Sequence, residues 1–105
     1  MCMNKTRFAL FALAVASASA PVLADLSLAT AKNCMACHAV DKRVVGPAYK
    51  DVAAKYAGDK NAVDRLANKI QKGGGGVWGP MPMPANTQVN EAEAKKLAAW
   101  VLTIK

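Results

Sequence analysis

Cys34-Met35-Ala36-Cys37-His38 is the stretch from which the rest of this sequence is read. Two cysteines three positions apart, followed at once by a histidine, form the C-x-x-C-H pattern of covalent c-type haem attachment. Each residue has a physical task in that chemistry. Two thiols at this spacing, at the end of a helix, can add to the two vinyl groups along one porphyrin edge. The next residue then swings beneath the iron and offers an imidazole nitrogen, a good ligand for that metal. His38 is the only histidine in the chain, and its place directly after Cys37 makes it the proximal ligand candidate.

Two other uses of paired cysteines fit less well. A thiol–disulfide redox pair expects a βαβ setting, and no strand alternation surrounds this pair. A zinc site needs four ligands, and beyond residue 24 the chain offers two cysteines and one histidine.

A haem held from one side leaves its opposite axial position to be filled. Beyond residue 24 the methionines are Met35, Met81 and Met83. Met35 lies inside the attachment motif and is too close to reach the far face. Met81 and Met83 lie in Gly79-Pro80-Met81-Pro82-Met83-Pro84, where three prolines at alternate positions keep the backbone extended and stiff. A stiff segment can press a thioether onto a metal at little entropic cost. Spacing alone leaves both methionines open.

The remainder reads as helix. A first helix, about Ser27 to Lys32, runs into the motif. A second, about Ala48 to Ala57, aligns Tyr49, Val52, Ala53 and Tyr56 on one face and stops at Gly58. A third, about Ala62 to Lys72, aligns Val63, Leu66, Ala67 and Ile70 and stops at Gly73. The fourth opens with Asn90 and Glu93, a capping-box pair, and its apolar face is Ala94, Leu97, Ala98, Val101 and Leu102. These faces predict an all-α domain. Between them, Gly46-Pro47 offers a carbonyl that could orient the far nitrogen of His38. Trp78 reads equally as a packing side chain or as an indole N–H donor to an acceptor such as a haem propionate. The four glycines at 73–76 lack the Lys-Ser/Thr of a phosphate loop.

The N-terminus reads as an export leader covering 1–24. Lys5 and Arg7 precede a run of 13 small or apolar residues, Phe8 to Ala20. Pro21 breaks that run, and Val22-Leu23-Ala24 fits a peptidase site. The run is short of the about 20 residues a membrane span requires, so stable insertion after cleavage is not expected. Cys2 departs with the leader. The leader carries two of the 14 basic residues and none of the seven acidic ones, so the domain at 25–105 has a net charge of +5. That charge suits partners with acidic surfaces. The lysines alternate with core positions on several helices and form no dense patch, which argues against nucleic acid. A domain this small buries too little surface to be comfortably stable without a staple or cofactor.

Taken together, the motif, Val45-Gly46-Pro47-Ala48-Tyr49, Gly76-Val77-Trp78-Gly79-Pro80-Met81-Pro82-Met83-Pro84 and Leu97-Ala98-Ala99-Trp100-Val101-Leu102 resemble the small bacterial class I cytochromes c, the cytochrome c-551/c-552 group. The resemblance spans Asp25 to Lys105. It implies a class I cytochrome c fold, about four short helices wrapped around one haem c joined through Cys34 and Cys37. It further implies His38 and Met83 as the axial pair, with Met81 where the group usually has an aliphatic residue. Pro47 would hold the His38 ring, Trp78 and Lys69 would stand near a propionate, and Asn86 would bond the axial sulfur. Ala85 departs from the group's usual second proline and leaves that loop freer. The implied role is a monomeric, non-enzymatic periplasmic electron carrier in a respiratory chain. A quinol-oxidising complex would be its donor and a nitrite reductase or terminal oxidase its acceptor. A small haem enzyme or gas-binding protein with a labile sixth ligand is the rival role.

Overall fold

The computed structural model describes residues 21–105, with side chains from Asp25 onward. The chain order is α1 (Pro21–Ala31), a single 3-10 turn at Cys34–Ala36, α2 (Tyr49–Lys55), α3 (Ala62–Lys72) and α4 (Glu91–Leu102). Among the described residues there are no named strands, only isolated bridges at His38↔Arg43 and Gly74↔Met83. Residues 1–20 of the expected leader lie outside the described residues. α1 begins at Pro21, before the expected boundary after Ala24. No described helix is long and apolar enough to cross a membrane.

Local chemistry sets the boundaries. Pro21 suits the first turn of a helix, where its missing N–H has no partner to lose. α1 ends as Asn33 takes the left-handed conformation, φ 66°, which asparagine tolerates better than most residues. α3 ends at Gly73, φ 69°. α4 opens with a complete capping box: Glu93 N donates to Asn90 Oδ1 at 2.8 Å, and Asn90 N donates to Glu93 Oε1 at 3.1 Å. The Asn90 N–H, helped by Lys32, holds the Glu93 carboxyl below the usual carboxylate range. The same Lys32 ammonium lies 3.3 Å from Glu93 and donates to the Gln88 carbonyl, tying the end of α1 to the start of α4.

α4 is the central element and packs on α1, α2 and α3. Its buried residues are Ala94, Leu97, Ala98, Trp100 and Val101. Alanines at 29, 67, 94 and 98 let the helix backbones come close. Leu97 and Trp100 are the large side chains buried most completely in this core. Tyr56, Leu66, Ile70 and Trp78 reach it only as half-buried neighbours, because their other sides line a cleft.

Candidate haem-binding cleft

The cleft lies between α2, α3, α4 and the loop 73–84, with about 1070 Å³ of empty space counting its open mouth. Cys34, Cys37, His38, Pro47, Lys69, Trp78 and Met83 all line it. Val52, Leu66, Ile70, Leu97 and Val101 supply apolar walls.

One wall is the attachment motif. Its 3-10 turn is closed by His38 N donating to the Cys34 carbonyl at 3.0 Å. The following loop folds back, so that Val45 N and Gly46 N both donate to the Cys37 carbonyl, at 3.1 and 2.8 Å. This return brings Pro47 to the histidine: His38 Nδ1–H donates to the Pro47 carbonyl at 2.8 Å. With Nδ1 carrying the proton, Nε2 keeps its lone pair for a metal. Gly46 packs flat on the same ring, and a Cβ there would stand 2.9 Å from Nδ1. On another side Tyr49 stacks on His38, centroids 4.8 Å apart at 20°, and meets Trp100 edge-on at 5.5 Å and 78°. Burial pushes the Cys34 thiol up, and a hydrogen bond from the Tyr49 hydroxyl partly offsets it. Burial, then the adjacent Cys34, pushes the Tyr49 phenol far above its usual range. The Tyr49 phenol therefore stays neutral. Cys34 and Cys37 are free thiols, not joined to each other.

The other wall is the methionine loop. Met83 N donates to Gly74 O and Gly74 N to Met83 O, both at 2.9 Å. Gly73 allows this approach: a Cβ there would overlap the Met83 carbonyl and stand 2.7 Å from Ala85 N. The half-buried thioether of Met83 is thus carried by a backbone fixed to the end of α3. Met81 lines the cleft and is 65% exposed.

Three cations gather beside this loop. Lys69 Nζ lies against Gly74, Lys55 Nζ stands 5.5 Å from the Trp78 ring centroid, and Arg43 Nη2 donates to the Trp78 carbonyl at 3.5 Å. Carboxylates placed at this edge would meet positive charge and the Trp78 indole.

Asn86 joins the methionine loop to α3. Its Nδ2 donates to Ile70 O at 2.9 Å and to Pro84 O at 3.4 Å, and its backbone N–H also goes to Ile70 O, at 3.1 Å. With those donors engaged, the residue anchors the loop to α3 and does not line the cleft. This anchor, with the Gly74 pairing, restrains the loop where Ala85 stands in place of a proline. Gly46, Tyr49, Gly73, Gly74, Arg43 and Lys55 complete the surroundings, and sequence reasoning did not single them out as site residues. A glycine beside Pro47 was the one available signal; the stacking of Tyr49 on His38 follows only from tertiary packing.

The donor set fits a c-type haem. Two free thiols and an oriented imidazole stand on one wall, a fixed thioether on another, and the core between them is left incomplete. Comparison with known proteins gives the same group. A family model described as "Cytochrome c" matches residues 27–105. The chain is 56% identical over 93 residues to cytochrome c-552 of Hydrogenobacter thermophilus, covering 89% of this chain and 94% of that protein. It is 58% identical over 74 residues to cytochrome c-551 of Pseudomonas aeruginosa, 70% of each. The crystal structure of wild-type Nitrosomonas europaea cytochrome c552 superposes with a TM-score of 0.75 at 55% identity, over 76% of this chain and 99% of that one.

Proposed function

The chain belongs to the cytochrome c family, a small electron-carrier haem protein with one covalently bound haem c, and from that premise we propose that it is a periplasmic shuttle whose iron is closed by His38 and Met83. The observation that carries this reading is the pair of independently fixed donors on the cleft walls, His38 held by the Pro47 carbonyl and Met83 held by Gly74.

The bound haem supplies a one-electron ferric/ferrous couple. The protein's own groups set how easily that couple works. The Pro47 carbonyl keeps the proton on Nδ1 and the ring in one orientation, so that Nε2 would be offered to the iron. Met83 would hold the iron from the second wall, where a thioether would favour the ferrous state and deny dioxygen or peroxide a site. The apolar walls disfavour the extra charge of the ferric state. Arg43, Lys55 and Lys69 offset carboxylates at the cleft edge. The role is accordingly that of a carrier and not an enzyme. Residues 1–24 are an export leader removed after Ala24. The donor is a quinol-oxidising complex and the acceptor a nitrite reductase or terminal oxidase. The +5 domain meets acidic surfaces on these partners, with rates that fall as salt rises.

Carbon monoxide tests the closed iron. The visible spectrum of the reduced holoprotein is expected to be unchanged under the gas. Ready formation of a carbonyl complex would favour the gas-binding or enzymatic alternative.

A further inference from the structure

Two thioethers stand in one short loop, and the fold treats them in opposite ways. Met83 is half-buried and its backbone is fixed by two hydrogen bonds to Gly74. Met81, two residues earlier, is 65% exposed, the most exposed of the large apolar side chains. Among the described residues no hydrogen bond ties Met81, and prolines on both sides deny it a neighbouring N–H. Met35 is half-buried and packed against the core. Met81 lines the cleft, as do Val45 and Val77, themselves about half-exposed. An oxidant arriving from solvent meets this sulfur before the half-buried Met83, whose lone pair would also be engaged if it holds the iron.

We propose that Met81 is a selective and reversible oxidation site for peroxides, on the solvent-facing lining of the cleft. A lone pair of the thioether attacks one peroxide oxygen; the S–O bond forms and the O–O bond breaks. The sulfur loses two electrons to become a sulfoxide, and the departing hydroxide takes a proton to leave as water. A thiol-dependent methionine sulfoxide reductase can return the sulfoxide to the thioether. The modification replaces an apolar contact with a strong dipole on the cleft lining and leaves the axial sulfur intact. This inference rests on the carrier reading only in placing Met83 on iron; the exposure contrast stands without it.

The test uses the holoprotein. It is titrated with hydrogen peroxide, digested and mapped by mass spectrometry, with visible spectra recorded in parallel. Oxygen should be gained at Met81 at least about tenfold faster than at Met83 or Met35, before the iron–sulfur charge-transfer band changes. The singly oxidised form should elute earlier from a hydrophobic-interaction column, and Met81→Leu should abolish both the early adduct and the elution shift. A rate ratio below tenfold, or first oxidation at Met83 or Met35, would overturn the assignment, as would an unshifted elution. The carrier reading fails separately: a colourless protein that still oxidises first at Met81 would end that reading and leave the oxidation site standing.

Discussion

Gly46→Ala probes the packing that orients His38. Gly46 has no left-handed φ, so alanine there meets no backbone penalty. Its cost is purely one of space: the new methyl would stand 2.9 Å from Nδ1 and 3.1 Å from Nε2 of His38. The ring cannot step aside freely, because Tyr49 stacks on it and Nδ1–H is bonded to Pro47. Overpacking of this kind costs about 1–3 kcal/mol, and losing the Pro47 bond adds about 1 kcal/mol. A total of about 2–4 kcal/mol corresponds to a fall in Tm of about 10–30 °C for a domain of this size. Gly58→Ala is the control. It has φ 79° and nothing within 4 Å, so it should cost about 1–2 kcal/mol in backbone strain while leaving the histidine undisturbed. Thermal unfolding of the holoproteins, with NMR of the His38 ring, separates the two. The reasoning is refuted if Gly46→Ala matches the wild type in Tm and leaves the His38 resonances unmoved.

Other perturbations follow from the same contacts. Gly73→Ala drives a methyl into the Met83 carbonyl and the Ala85 N–H; it should break the Gly74 pairing, cost about 2–4 kcal/mol, and let carbon monoxide bind the reduced iron. Asn90→Ala should cost about 1 kcal/mol in chemical denaturation. The Glu93 carboxyl is held below its ordinary value, so its contribution is fully present above about pH 5 and fades as pH falls through the lowered value; in Glu93→Gln that part of the acid limb should flatten. Tyr49→Phe keeps the ring contacts and should cost no more than about 1 kcal/mol, whereas Tyr49→Leu, which loses the contacts with His38 and Trp100, should cost about 2–4 kcal/mol; equal losses would mean the ring stacking carries nothing.

Much of this molecule was legible from residue order. The Glu93 and Asn90 pair marked the start of α4, and Gly73 marked the end of α3, because caps and stops act within a few residues. α2 proved shorter than its apolar face suggested, closing at Lys55, since Tyr56 packs on the core without helical geometry. α1 starts earlier than its reading from Ser27, at Pro21. The stripe Val63, Leu66, Ile70 was readable as apolar, yet periodicity could not say that Leu66 and Ile70 face an open cleft. Pro47 was readable because a carbonyl so near His38 has few other places to be. The Ile70 carbonyl as a partner of the Asn86 amide was not legible, because an amide's partner is fixed by tertiary approach. Tyr49 was hidden for the same reason: its face on α2 was visible, but its stacking partner lies across a loop.

The axial pair is tested most directly by the sulfur-to-iron charge-transfer band of the oxidised holoprotein. Met83→Ala should lose the band and Met81→Ala should keep it. Retention of the band in Met83→Ala, with its loss in Met81→Ala, would contradict the ligand set on which this account depends.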